Sequence, residues 1–534
     1  MKRTAIFAAT VLSCALAGVG GCARRPASVP VSDTLTRHLD SDPATLDPIV
    51  TSEEFGMRVE EMLFRPLVAI DKNRRFVPAL ATSWAASSDG LVYDFRLDPK
   101  AKWDDGTAVT SDDVSYTIER IRDPKIAAGN WRWGFEDLRS VETPDPATVI
   151  VRFQAPYAQR MLAFTMPVVS AAAYRRGTGL DRQPVGSGPY RLESWVSKQK
   201  IVLARRADVS AADYPFARMV FRFIPDQTVR FRAGSAGELD EFKVSRDQRA
   251  AAVKTPEFAS KNRLERVPQF AVVLVVWNLK NPRLADPRVR LALAHCWDRA
   301  DAARRLYPPE GASLLSGPYP AGASENAAGI PPPSFDPAGS RRLLDAAGWR
   351  MGSDGVRRKA DLRLSLEYLY PSSFPIYVNI AEIFREAAQK VGVEVLLRPL
   401  DWAAYTQRYA AGEFDVAPTN QEFIPPNLDQ YPFFHSSQVP PKGLNAGFYR
   451  NPAVDRALEA ARKEMDERKR LELYREVHRL MAADPPADFI WNAAQYWGLS
   501  NRLSGVELSP LGLFHFQPGP LAWRPISPRA EKAE

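Results

Sequence analysis

The apolar residues of this chain fall into two spacings, and their order predicts an α/β fold. Ala271 to Trp277 is an unbroken apolar run, suited to a strand buried on both faces at the centre of a sheet. A loop with Pro282 follows, and Asp286-Pro287 reads as an N-cap with proline at the first helical position, where a missing N–H costs nothing. Val289, Leu293, Cys296 and Trp297 then recur at helical spacing and predict one apolar face, with Arg288 and Arg290 turned away from it. Leu91, Tyr93, Phe95 and Leu97 alternate with Val92, Asp94 and Arg96, the period of a strand with one more polar face. Ala147 to Phe153 predicts another strand. Thr110 with Asp113 predicts a capping box opening a helix whose buried stripe is Val114, Ile118 and Ile121. Leu362 to Leu369, Ile380 to Val391 and Val393 to Leu397 read as strand, helix and strand, a βαβ-like unit. Asn451-Pro452 opens a helix, and Leu471, Tyr474, Val477 and Met481 mark another that ends near Pro485-Pro486. The charged run between Arg462 and Arg470 reads as a solvated helical face.

Composition narrows the class. A chain of 534 residues exceeds what one hydrophobic core usually supports, so about two or three domains are expected. Hydrophobic content of 45% and charged content of 25% are those of an ordinary globular protein. The net charge of +8 comes from 71 basic and 63 acidic residues that are intermixed, which does not single out nucleic acid as a partner. The front end is a targeting segment, residues 1–21: Lys2 and Arg3 begin it, Ala5 to Ala17 is its apolar run, and small residues close it. Val19-Gly20-Gly21-Cys22 resembles a bacterial lipobox, which implies lipidation of Cys22; Cys14 after Val11-Leu12-Ser13 fits more loosely. Two or more acyl chains give stable membrane anchoring. Residues 22–32, with Pro26 and Pro30, read as a tether. The expectation is an exported protein, in the periplasm or at the cell surface, held to the membrane through Cys22. Cys296 is then the one thiol of the folded part, and its place on an apolar helix face makes it a packed core residue.

Catalytic and metal constellations do not stand out. The chain has no His-Glu-x-x-His, Cys-x-x-Cys, Gly-x-Ser-x-Gly or phosphate-cradling glycine loop. The histidines His38, His295, His435, His478 and His515 are spread singly. No catalytic residue, no metal site and no cofactor is expected.

Ser83-Trp84, Asp89-Gly90, Tyr93-Asp94-Phe95-Arg96-Leu97, Lys102-Trp103-Asp104-Asp105-Gly106 and Thr110-Ser111-Asp112-Asp113-Val114 resemble the N-terminal signature of the family 5 extracellular solute-binding proteins. These are the receptors of oligopeptide, dipeptide and nickel ABC importers. Val185-Gly186-Ser187-Gly188-Pro189-Tyr190 is similar to the family's "GTGPY" segment, and Gly237-Glu238-Leu239-Asp240 to its "GEID". Asn278, Pro282, Asp286, Arg288-Val289-Arg290, Ala292-Leu293 and Asp298 fit the family's "N...P..D.RVRQAL..A.D" element. Phe335-Asp336-Pro337 with Leu343 to Trp349, and the closing Ser509 to Phe516, continue the series in the family's order from about residue 33 to the end. Singly, these motifs are turn and helix-start signals of any α/β fold; in series they identify this one.

The resemblance implies a two-lobed periplasmic-binding-protein fold of type II, with a ligand cleft between the lobes. Lobe one would comprise 33–270 and 485–534, with an extra subdomain at roughly 77–185, and lobe two 271–484. It implies a monomeric receptor that captures a small solute by hinge closure and delivers it to the transmembrane subunits of an ABC permease, with a peptide or peptide-like solute as the default. Cleft walls would come from Ser52, Glu53 and Phe55, from Tyr370 and Phe374, and from Asn420, Gln421, Glu422 and Phe423, with Trp131 and Trp133 as further aromatic candidates. Where dipeptide-type relatives place an aspartate for the ligand's amine this chain has Ile424, and where they place an arginine for its carboxylate it has Pro371. Glu422 could receive an amine in a rearranged loop. A chelated metal, an opine or a sugar are the alternative solutes, and a sensor or chaperone lipoprotein the alternative role.

Overall fold

In the computed structural model, which describes residues 33–526 except 52, 178–180, 269, 270, 308–311, 423–427, 510 and 511, one long mixed sheet is shared by two sets of core residues. Among the described residues the sheet has 12 strands. One half is built on Thr34–Leu39, which runs parallel to Arg218–Phe223 and to Glu241–Val244, with Lys200–Arg205 and Tyr190–Val196 added antiparallel beyond. The other half is built on Ala271–Trp277, antiparallel to Val416–Glu422. Beyond it lie Ser365–Pro371 and Glu394–Leu400, parallel to each other and joined by the helix Pro375–Gln389. That is the predicted βαβ unit.

Ala487–Ser500 belongs to both halves. Its first residues pair with Ala271–Trp277, and its last with Asn262–Pro268 and Glu241–Val244. At 14 residues an extended strand reaches about 46 Å, from a rise of ~3.3 Å per residue, enough to pass from one core to the next without a turn. The first core runs from Leu35 to Val267 and resumes at Trp497; the second runs from Val272 to Trp491. A division at residue 485 therefore needs correcting. Phe489, Ile490 and Trp491 pack in the second core, and the chain changes cores inside this strand, because the hydrogen-bond ladder is continuous across the change.

Local signals hold up well. All seven residues of Ala271–Trp277 are buried. Asp286 caps the helix Pro287–His295 by accepting from the Arg288 amide, and Val289, Leu293, Cys296 and Trp297 are buried. Thr110 N donates to Asp113 Oδ2 at 2.8 Å, and the helix Ser111–Arg122 buries Val114, Ile118 and Ile121. A separate four-stranded antiparallel sheet, in the order Ala81–Ala86, Val92–Leu97, Thr148–Phe153, Leu138–Asp145, falls within 77–185.

Two arginines are drawn inward by distant partners. Arg290 is 1% exposed: its guanidinium donates to the Leu284 carbonyl at 2.7 Å and to the Asp484 carboxylate, so the buried charge is paired. Arg462 belongs to no solvated face either. It donates to Asp429 Oδ2 at 2.7 Å and lies over the Tyr431 ring at 4.1 Å and the Tyr157 ring at 5.0 Å. The run it opens is also two helices, Pro452–Lys463 and Glu467–Ala483.

Two features fix the helix Glu54–Leu63 against the sheet. The Gly186–Gly188 segment passes beneath its C-terminal end so closely that a β-carbon on Gly186 would lie 2.0 Å from the Leu63 carbonyl oxygen, and one on Gly188 2.4 Å from that of Met62. The Gly188 amide donates to Leu63 O at 2.7 Å. From the other side, Arg58 of the helix and Arg37 of Thr34–Leu39 share one buried carboxylate, Glu241. Arg37 Nε lies 2.9 Å from Oε2, and Arg58 Nη2 lies 2.9 and 2.6 Å from the two oxygens. Removing one partner of a buried ion pair costs about 3–5 kcal/mol, because the remaining charge is left without compensation. Glu241→Ala, which leaves two guanidinium groups facing each other, is expected to lower the unfolding free energy by at least that ~3 kcal/mol. The check is the urea midpoint followed by tryptophan fluorescence; an unchanged midpoint would contradict this role.

Candidate functional site

The helix Glu54–Leu63 carries its carboxylates onto unexpected faces. Val59, Met62 and Leu63 turn into the core, and Glu60 is buried with them, 4% exposed. Thr51 Oγ1 donates to Glu60 Oε1 at 2.5 Å. Burial pushes the Glu60 carboxyl up to about 8 against the effect of that hydrogen bond, and the neighbouring Asp47 and Glu61 add to the rise. Glu60 is therefore mostly a neutral carboxylic acid at pH 7. Asp47 itself is held by Arg120 at 3.0 Å and by the Tyr174 hydroxyl at 3.0 Å.

Glu61, the next residue, meets His515 Nδ1 at 2.6 Å, with both side chains part-exposed. Desolvation acts to raise the Glu61 carboxyl, but the His515 ring, with Arg37 and Arg58 behind it, leaves it below the usual carboxylate range. Desolvation lowers the His515 ring, and the Glu61 charge and hydrogen bond more than offset this and raise it. The two form an ion pair.

Glu60, Glu61 and His515 stand on the wall of a cavity of about 180 Å³ in lobe one. Most of that wall is apolar: Met57, Phe64, Ile70, Trp131, Pro167 and Phe516 contribute to it. Trp131 is fixed by its indole N–H, which donates to the Pro48 carbonyl at 3.2 Å. The cavity thus has a mostly apolar body, with Glu60, the Glu61–His515 ion pair, Thr165 and Gln517 as its polar lining.

On lobe two, the end of Ser365–Pro371 leads into Phe374, the N-cap of Pro375–Gln389 and 41% exposed. Its ring lies 5.0 Å from that of Trp402, which is 51% exposed. From Trp402 a row of rings, Tyr405, Tyr409 and Phe414, continues at 5.9, 5.8 and 5.3 Å with small interplanar angles. An exposed aromatic pair on a buried aromatic row is a rigid apolar surface.

The expected wall residues are placed unevenly. Tyr370 is buried against Tyr368, and Pro371 ends the strand in register with Leu400. Asn420 and Gln421 lie in Val416–Glu422 opposite Val273 and Val272, and the Gln421 amide donates to Gln430 Oε1 at 2.9 Å inside the lobe. Glu53 precedes the first helix and accepts from the Ala44 amide at 3.4 Å, while Phe55 packs half-buried against the first core. Trp133 sits edge-on to Tyr157 at 6.0 Å. Glu422 is paired through its backbone with Ala271. Ser52, Phe423, Ile424 and Cys22 lie outside the described residues. The residues missed by sequence reasoning are Met57, Glu60, Glu61, His515 and Phe516. One signal was available: Glu60 falls on the helix stripe of Gly56, Val59 and Leu63, where an acid is out of place.

A two-lobed α/β sheet crossed by a shared strand defines the type II periplasmic-binding-protein class. Solved structures agree. HbpA2 from Haemophilus parasuis superposes with a TM-score of 0.80 at 21% identity, over 92% of this chain and 100% of that one. NikZ from Campylobacter jejuni in complex with Ni(L-His) gives 0.77 at 23%, over 92% and 99%. The chain belongs to the bacterial extracellular solute-binding proteins, family 5, whose middle region matches residues 75–441. The oligopeptide-binding protein AppA of Bacillus subtilis is 25% identical over 496 residues, 88% of each chain. The protein is accordingly an extracytoplasmic solute-binding receptor of an ABC importer and not an enzyme. Cys296 agrees with that role: burial, with the Asp488 charge adding, pushes its thiol up to about 12, which leaves it inert. Among the described residues no helix is long and apolar enough to cross a membrane.

A pH test addresses the neutral acid. Because the folded state raises Glu60 above its unfolded value, it holds a proton there that the unfolded chain releases, so stability falls as pH rises from about 4.5 to about 8. Glu60→Gln keeps the acceptor for Thr51 and removes this titration. Its unfolding free energy should match wild type below pH 4.5 and exceed it at pH 7 by on the order of 3 kcal/mol, at ~1.36 kcal/mol per pH unit. Parallel pH curves for the two proteins would overturn the assignment.

Proposed function

We propose that the solute is peptide-like but is not recognised through free, charged ends. The observation that carries this is the lining of the lobe-one cavity, where a neutral acid and the Glu61–His515 ion pair, with Thr165 and Gln517, are set in a mostly apolar wall. Pro371 ends its strand in register with Leu400 and offers no cation for a carboxylate. Ile424, by residue type, offers no partner for an amine. Charge-assisted hydrogen bonds contribute about 1.5–3 kcal/mol each, so a solute with free termini gains little here. The similarity to an oligopeptide-binding protein supports the peptide-like class. The remainder of the solute lies against Phe374 and Trp402, with Asn420 and the Ser52–Phe55 and Glu422–Phe423 stretches as further contacts.

Capture proceeds by closure of the lobes, favoured to the extent that the solute binds the closed state better. Lobe-to-lobe contacts support this reading. The Ala158 amide donates to the Arg462 carbonyl at 2.8 Å, Gln159 Nε2 donates to the Tyr474 hydroxyl at 2.8 Å, and Arg462 lies over Tyr157. The receptor works as a monomer anchored through lipidated Cys22, and Cys22→Ala should move it from the membrane to the soluble fraction on cell fractionation.

Native mass spectrometry of the soluble form, followed by thermal shifts with terminally blocked and free peptides, tests the solute class. Ligand at 100 times its Kd adds about 2.7 kcal/mol of stability. Blocked peptides should shift the transition at least as much as free ones. Selective response to free termini would sink the reading. Arg462→Ala should enlarge the radius of gyration in X-ray scattering of the unliganded protein; an unchanged value would show that these contacts do not hold the lobes together.

A further inference from the structure

We propose that the lobe-one cavity is a specificity pocket for one uncharged, apolar group of the solute, about the size of an aromatic ring, with the Glu60 carboxyl on its wall. This deepens the receptor reading and rests on it only in assigning the group to the transported solute. Three observations carry it.

The first is size and lining. An apolar cavity of ~150 Å³ stays dry and accepts benzene. This one measures about 180 Å³ and is walled by Met57, Phe64, Ile70, Trp131 and Phe516. The second is the state of its polar groups. Glu61 Oε1 and His515 Nδ1 are 2.6 Å apart and pair with each other, and Glu60 Oε1 already accepts from Thr51. The other half of the Glu60 carboxyl is able to donate one hydrogen bond to, or accept one from, a hydroxyl or amide, and Gln517 lines the same wall. The third is the surrounding charge. A cation entering beside Glu61 meets the His515 ring with Arg58 and Arg37 behind it, and an anion meets Glu61. Either would also lose its hydration against apolar walls. An uncharged group avoids both terms.

Three probes share one ring and differ in charge: benzyl alcohol, benzylammonium and benzoate, titrated at pH 6.5 into the soluble full-length receptor by calorimetry. Benzyl alcohol should bind at one site at least tenfold more tightly than either ion. Ala69→Phe fills the cavity from the strand Val68–Ile70, and Met57→Trp fills it from the half-buried side of the helix, so that loss of folding in one leaves the other as a check. Each should weaken benzyl alcohol at least tenfold while circular dichroism stays that of wild type. A charged probe binding as tightly as the alcohol, unchanged alcohol binding in a folded variant, or no saturable binding would overturn the proposal. None of these results bears on whether a solute co-purifies, which tests the receptor reading separately.

Discussion

The buried carboxylate of Glu241 is the constraint on which the rest of lobe one depends. It sits at 0% exposure between two arginines, and such a group is stable only if its charge is matched and its lone pairs are used. Arg37 and Arg58 do both, and their guanidinium planes are then enclosed by rings. Arg37 lies over Phe221, Phe514 and Trp523 at 5.0, 5.1 and 5.5 Å, and Arg58 over Phe514 and Trp497 at 4.3 and 5.1 Å. One carboxylate therefore joins the first strand, the first long helix, the crossing strand Ala487–Ser500 and the C-terminal segment. The geometry of the cavity follows. Glu60 and Glu61 follow Arg58 by two and three residues on the same helix, and His515 is the residue after Phe514.

Lobe two repeats the device with a different carboxylate. Asp488, on the same crossing strand, accepts from the Trp297 indole at 2.9 Å and from Arg299 Nε at 3.1 Å. The strand is thus held by buried charge at Asp488 and packs on the Arg58–Glu241 pair through Trp497, and it changes cores between them.

Much of this fold was legible in the sequence, for a physical reason. Capping boxes, Asp-Pro helix starts and two-sided apolar strands are set by neighbours within a few residues, so Thr110–Asp113, Asp286-Pro287 and Ala271–Trp277 could be read directly. Arg290, Arg462 and Glu60 could not. Each is a charged residue that local pattern assigns to water and that a distant group recruits: Asp484 for Arg290, Asp429 and Tyr157 for Arg462, Thr51 with the cavity for Glu60. The cavity was illegible for the same reason, since its walls come from residues 48–70, 131, 165–167 and 515–521, which only the folded chain brings together. The glycines at 186 and 188 illustrate the converse. Their motif identified the family, yet their structural task is close approach to a helix, not contact with a solute.

Closure and specificity can then vary separately. The contacts of Tyr157, Ala158 and Gln159 with Arg462 and Tyr474 need no solute, and each net hydrogen bond contributes about 0.5–1.5 kcal/mol. They set how far the unliganded equilibrium leans toward closure. A solute shifts that equilibrium only by the difference in its affinity for the two states, and that difference arises where groups from both lobes meet it. In the function proposed above, the lobe-one cavity supplies one wall and the Phe374–Trp402 edge the other. Changing either wall alters which solute closes the receptor without touching Glu241, Asp488 or the crossing strand, so one scaffold can serve solutes as different as a nonapeptide and a nickel–histidine complex in its structural neighbours.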